Sequence, residues 1–187
     1  MTLKKWVLVS LLVIVVSGLV LFAMDRLPFC KCGYIKIWHG VVFSSENSQH
    51  MTDWYTPSHV IHGFAFYLLL WLIGKKYKWS IGFKLFLAVL IESAWEVFEN
   101  TDLVINHYRS VTISLDYYGD TILNSIMDIL AMIAGFVIAY RFPVWVTVLL
   151  TIFLEAVVAY YIRDNLLLNI IMLIYPNEVF LKWQQGG

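Results

Sequence analysis

Apolar residues along this chain gather into runs rather than into stripes that alternate with charge. Trp6 to Met24 contains no charged side chain, and about 20 residues at 1.5 Å rise cross the roughly 30 Å hydrocarbon layer of a bilayer. Similar runs predict further spans over residues 58–73, 81–99, 120–140 and 145–162, with the first span at 6–24. Leu166 to Tyr175 is also apolar, but it is too short to cross and Pro176 ends it. It reads as an interfacial or re-entrant helix. The expected fold is therefore all-α: a polytopic membrane helix bundle of about five transmembrane helices plus that C-terminal helix. Residues 1–187 would form a single integral-membrane domain with outer loops 25–57 and 100–118.

Lys4 and Lys5 ahead of an apolar run also suit a signal peptide. However, the run exceeds the usual core of about 7–15 residues, and no clear small-x-small site precedes Asp25-Arg26, so retention of span one is expected. Basic residues assign the sides. Lys4 and Lys5, then Lys75, Lys76, Lys78 and Lys84, and Arg141 all fall on one face. That face is expected to be cytoplasmic, with segments 25–57, 100–118 and 163–187 opposite.

Composition agrees with a lipid solvent. Hydrophobic residues make up 60% and charged residues 14%, against about 45–50% and about 25% for soluble domains. Thirteen basic residues balance thirteen acidic ones, which argues against a nucleic-acid partner. Two cysteines exclude a disulfide-built scaffold, and the apolar content excludes a disordered chain.

The polar residues carry the functional signal. A carboxylate at the bilayer centre costs on the order of 3 kcal/mol, so ionisable residues within spans face a bundle interior or wet cavity. On span three, Glu92, Glu96 and Glu99 recur at i, i+4 and i+7, one helical face. On span four, Asp120, Asn124 and Asp128 share a stripe that continues through Ala131 and Gly135. Its small residues equally suit a packing seam with polar hydrogen bonds. Span two opens with Ser58, His59 and His62, both imidazoles on one face. These three faces are expected to enclose one outward cavity, with His59, His62, Glu92, Glu96, Glu99, Asp120 and Asp128 as catalytic candidates.

Crowded carboxylates cannot all ionise without a cation. One chemistry is then a general acid/base pair formed by His59 or His62 with a glutamate. The other is a divalent metal (zinc, iron or manganese) held by His59, His62, Glu96 and Glu99, although no His-Glu-x-x-His motif is present. His50, Asp53, Ser58, Arg109 and Asn124 are candidates for substrate binding, with Arg109 as an anion clamp or as a partner for Asp102 or Asp116. Ser44, Ser45, Ser48 or Ser58 with His50 or His59 and Asp53 offer the residue types of a serine nucleophile. No Gly-x-Ser-x-Gly elbow accompanies them, and such polar clusters also form turns. Trp54, Tyr55 and Pro57 mark the membrane interface. Cys30 and Cys32 stand on the oxidising side, where a bond between cysteines one residue apart is expected to be strained and a metal or redox role is open. Glu155 lies inside span five with no evident partner.

The string Ser44-Ser45-Glu46-Asn47-Ser48-Gln49-His50, with Thr52-Asp53-Trp54-Tyr55-Thr56-Pro57-Ser58-His59 and His62-Gly63 after it, resembles an uncharacterised family of small proteobacterial inner-membrane proteins labelled as a domain of unknown function. The resemblance covers most of the chain. It implies a multipass protein of the bacterial cell inner membrane and no activity; the basic residues are what place its N-terminus in the cytoplasm and its polar site facing the periplasm. More loosely, His59, Glu92, Glu96, the pair Arg109-Ser110 and Asp128 are similar to VanZ-like membrane proteins, which usually place an Asn after the Asp where this chain has Ala131 and Ala134. That likeness implies an envelope role. The function expected is an envelope enzyme, a hydrolase or transferase, acting on a lipid or lipid-linked substrate. A metal-binding or transport protein is the alternative, and a structural or assembly factor the third. Transport fits less well, because the cytoplasmic halves of the helices lack polar lining and no internal repeat is evident.

Overall fold

The computed structural model describes residues 1–112 and 116–186. Residues 113–115 of the expected outer loop 100–118 and the last residue of the expected domain lie outside the described residues. Long helices α1 (Leu3–Ala23), α2 (Thr56–Tyr77), α3 (Ile81–Glu99), α5 (Ile122–Arg141) and α6 (Val144–Ile162) build the bundle, joined by shorter α4 (Asp102–Val111), α7 (Leu166–Ile174) and α8 (Glu178–Gln184). Two short strands, β1 (Trp38–His39) and β2 (Thr52–Asp53), pair in parallel with Trp38 opposite Thr52 and His39 opposite Asp53. The fold is an all-α membrane helix bundle.

Among the described residues four helices, α1, α2, α5 and α6, are long and apolar enough to cross a membrane. This differs from the expected five because α3 carries Lys84, Glu92, Glu96 and Glu99 along its 19 residues. Those charges do not put α3 outside the bundle: it packs against α1, α2 and α5, with Ala88, Val89, Glu92, Ser93 and Glu96 buried. By contrast, only 11% of the most apolar stretch of α6 is buried within the protein. Val148, Leu149, Ile152 and Phe153 face outward. An apolar face of that extent is stable in hydrocarbon and a liability in water.

The core forms where α1, α2, α3 and α5 meet, around Ile14, Leu70, Ala88, Val89, Ile129, Met132 and Phe136. The α2–α5 pairing is the most extensive among the described elements. It rests on two glycines: a Cβ at Gly63 would strike the Met132 carbonyl oxygen and the backbone of Gly135, and one at Gly135 would strike the Val60 carbonyl. The packing seam expected along span four is therefore present in its inner half, beside a polar outer half.

The loop between α1 and α2 folds back onto the start of α5. Leu27 and Pro28 accept hydrogen bonds from Ile122 N (2.8 Å) and Leu123 N (3.2 Å), and Ser48 accepts from Thr121 N (3.1 Å). Backbone donors in the first turn of a helix have no partner inside it. Here the loop supplies them, aided by the Thr121 hydroxyl, which accepts from Asn124 N. Gly119, at φ +91°, lets the chain pass close to Ile105, Arg26 and Asn100, where a Cβ would lie within 2.9 Å of each. Arg26 also bonds Asp102 at 3.2 Å and the Tyr118 carbonyl at 3.1 Å, so Arg26 rather than Arg109 neutralises Asp102.

Two elements depart from the expected loops. α4 forms inside the expected outer loop, burying Val104, Ile105 and Tyr108. The C-terminal segment folds back as two helices, α7 and α8, instead of a single interfacial one. Glu155 of α6 accepts from Leu166 N and Leu167 N, both at 3.1 Å. It thus finds the partner that its position in an apolar helix demanded, and its charge lies at the positive end of α7.

Candidate functional site: an acid and imidazole cavity

The first turns of α2 and α5 and the last turns of α3, with α4 and α7 against them, leave a cavity of about 370 Å³. α2 begins immediately after a turn organised by Asp53, whose carboxylate accepts from Ser48 N (3.1 Å) and Tyr55 N (2.7 Å). Pro57 follows in the first turn, where its missing N–H costs nothing. This fixed start points His59 and His62 toward α3.

There His59 Nδ1 donates to Glu92 Oε1 at 2.7 Å, and His62 Nδ1 donates to the same carboxylate at 3.1 and 3.2 Å. Glu92 is fully buried. Glu96, one turn on, brings Oε1 within 3.4 Å of His59 Nδ1. Neither Glu96 oxygen has a hydrogen-bond partner among the described residues. On the other side of the ring, His59 Nε2 lies 3.8 Å from Asp128 Oδ2, while Asp128 Oδ1 accepts from the Thr56 hydroxyl at 3.1 Å. One imidazole is thus flanked by carboxylates from two different helices.

The three helical faces meet at this cavity. His59, His62, Glu92, Glu99, Asp120, Asn124, Asp128 and Ser58 all line it, and Glu96 stands directly behind it against His59. His50, Asp53 and Arg109 do not line it. His50 is buried in the outer loop, with Nδ1 accepting from Lys36 N (3.3 Å) and Nε2 against Glu46 (3.0 Å). Asp53 is committed to the turn, and its burial raises its pKa above the ordinary carboxyl value. Both of its oxygens serve backbone donors, so it does not orient a histidine for a serine nucleophile. Arg109 is exposed and stacks on Tyr118, 5.0 Å from the ring centre. Of the expected metal set, Glu99 lines the cavity but is replaced in the close groupings: His59, His62 and Glu92 form one, and His59, Glu96 and Asp128 another, with donor atoms within 4.8 Å of each other. Cys30 and Cys32 are joined in a disulfide.

Several participants escape a reading of the sequence. Asn100, fully buried at the end of α3, donates to Asp120 Oδ2 (2.9 Å) and accepts from Asp120 N (2.6 Å). Its place one turn beyond Glu96 is the signal that could have found it. Tyr117 donates to Asp120 Oδ1 at 3.1 Å, and Tyr108 donates to Asn169 at 2.6 Å. Leu166, Asn169, Ile170 and Leu173 make α7 one wall. No periodicity links α7 to the distant acidic helices, so the sequence carries no signal for that wall.

Another polar cluster lies in the outer loop. Glu46 accepts from Lys36 Nζ (2.6 Å), His50 Nε2 (3.0 Å) and the Tyr34 hydroxyl (2.8 Å). Lys36 first, then His50 and Tyr34, hold the Glu46 pKa at about 2. This cluster carries its own cation, and it braces the loop that caps α5.

The fold and this cavity define a multipass helical membrane protein with carboxylates and imidazoles gathered in one cavity at one end of the bundle. The chain belongs to the family described as "Protein of unknown function (DUF2585)", whose model matches residues 21–186. It is similar to the UPF0314 protein of Paracoccus denitrificans, with 54% identity over 94% of this chain and 90% of that one. It is also similar to UPF0314 proteins of Rhizobium meliloti, at 56% identity over 97% and 91% of the two chains, and of Agrobacterium fabrum, at 47% over 97% and 91%. No solved structure matches it. The resemblance to VanZ-like proteins is not shown by any of these matches.

Proposed function

We propose that this protein is an envelope enzyme, a hydrolase or transferase, acting on a lipid or lipid-linked substrate in the bacterial inner membrane. The observation that carries this reading is the Glu92–His59 pair in the cavity, with the far nitrogen of the imidazole turned toward Asp128. A carboxylate bonded to Nδ1 holds the ring in one tautomer and leaves Nε2 to accept a proton. A water or substrate hydroxyl bound between His59 and Asp128 would lose its proton to Nε2 as it attacks, and the imidazolium would return that proton to the leaving group.

The cavity walls suit an amphipathic molecule. Phe66, Ile91, Trp95, Ile170 and Leu173 add apolar lining to the cavity that holds the carboxylates. A volume of about 370 Å³ falls within the range of small-molecule sites and takes a head group with the first part of its chain. Among the described residues no Lys or Arg lines the cavity, which favours a neutral or cationic head group unless a metal is bound. The distribution of Lys and Arg supports a cytoplasmic N-terminus and a periplasmic cavity. In that arrangement α3 crosses as a fifth span with its acids turned inward.

Comparing the lipids of a deletion strain with those of strains complemented by the wild type or by His59→Ala tests the proposal. Accumulation of the same lipid or lipid-linked species in the deletion and His59→Ala strains, reversed by the wild type, is expected. Identical lipid profiles in all of these strains would overturn it.

A further inference from the structure

We propose that the floor of this cavity is a seat for a divalent transition-metal ion, held by one nitrogen of His59 and the carboxylates of Glu96 and Asp128, with Glu92 and His62 beside it. The proposal takes the cavity as the working site, but it does not depend on the substrate being a lipid; a His59 nitrogen that binds the ion is no longer free to act as a base, so in the loaded protein activation of an attacking water would pass to the ion.

Three observations carry it. The first is Glu96: fully buried, with both carboxylate oxygens lacking hydrogen bonds among the described residues. A buried carboxyl that makes no hydrogen bond and has only the His59 imidazole near it, at 3.4 Å, is poorly satisfied, and a bound cation removes that cost. The second is charge balance. Glu92, Glu96, Glu99, Asp120 and Asp128 surround two imidazoles, and among the described residues no Lys or Arg lines the cavity. The outer-loop cluster of His39, Glu46 and His50 makes the contrast, since Lys36 Nζ already sits 2.6 Å from Glu46. The third is geometry. The donor atoms of His59, Glu96 and Asp128 lie within 4.8 Å of one another, and bond lengths of about 2.1 Å to a shared metal bring such donors to roughly 3–3.5 Å apart. Small rotamer adjustments close that difference.

The donor chemistry selects the ion class. Imidazole with carboxylates suits zinc, iron or manganese better than magnesium or calcium, which favour all-oxygen shells. The ion would also supply the positive charge that the lining lacks, so that an anionic head group becomes acceptable in the cavity.

Elemental analysis and thermal melting of the full-length protein, purified in detergent without chelator, test this. About one equivalent of zinc, iron or manganese per chain is expected, falling below about a tenth in Glu96→Gln and in Asp128→Asn. A chelator should lower the wild-type melting temperature by several degrees, reversed by adding zinc or manganese, because a ligand of the folded state stabilises it. Glu96→Gln, close in shape to the original, should melt cooperatively and ignore the chelator. A wild-type protein that purifies without metal and gains no thermal stability from added zinc, iron or manganese would overturn the proposal, as would undiminished metal in Glu96→Gln. A lipid phenotype from metal-free protein would overturn the seat while leaving the enzyme reading in place. Bound metal without any lipid phenotype would do the reverse.

Discussion

Gly63 of α2 and Gly135 of α5 meet backbone to backbone, so that a Cβ on Gly63 would lie 2.8 Å from the carbonyl carbon of Gly135. His59 stands one turn before Gly63, and Asp128 two turns before Gly135. The depth of this crossing therefore sets the 3.8 Å separation between the His59 imidazole and the Asp128 carboxylate. Helices in lipid associate through such close packing, because apolar side chains gain little by leaving hydrocarbon for protein.

Gly63→Ala and Gly135→Ala should each destabilise the protein by about 1–3 kcal/mol, the usual cost of overpacking a tight interface. Thermal melting in detergent measures this. A melting temperature equal to that of the wild type for both variants would show that the two helices are not held at this separation.

Glu155 caps α7 through Leu166 N and Leu167 N. Glu155→Ala should cost about 1 kcal/mol, in the range of lost helix caps, and should loosen the cavity wall that α7 provides. Hydrogen exchange should accelerate first at the amides of Leu166 and Leu167. Unchanged protection there would sink the assignment.

The outer loop should weaken in acid. Glu46, held at a pKa of about 2 chiefly by Lys36, contributes stability that is fully present above the ordinary value of 4.5 and is lost as pH falls through about 2. In Lys36→Met most of that contribution disappears. The melting temperatures of wild type and variant should therefore differ most near neutral pH and converge as pH drops toward 2.

Asp164 has the opposite sign. Burial raises its pKa to about 6, although Asn165, Tyr55 and Gln184 donate to it. Its contribution is fully present below the ordinary value of 3.8 and is lost as pH rises through about 6. Asp164→Asn keeps acceptors for Asn165 and Gln184 while removing the titration. The variant should match the wild type near pH 4 and melt higher at pH 8. Equal melting temperatures at both values would argue against a buried, titrating Asp164.

Reporter fusions after Lys76 and after Asp116 test the sidedness drawn from the basic residues. Opposite sides are expected for these two positions, and the same side for both would invalidate the five-span arrangement.

Much of this molecule was written locally. The uncharged run at Trp6–Met24, the basic turn around Lys75–Lys78 and the spacings of His59 and His62, of Glu92 and Glu96, and of Asn124 and Asp128 are short-range properties, and hydrocarbon enforces them without reference to the rest of the fold. They determined the membrane class, the long helices and which side chains share a face. Tertiary structure decided how those faces turn toward each other, because the rotation of one helix against another depends on where backbones approach closely, here at Gly63 and Gly135. It also decided that Glu155 caps α7, that α7 walls the cavity, and that His50, Asp53 and Arg109 stand outside it. Those relationships join residues far apart in the chain, and no local periodicity encodes them.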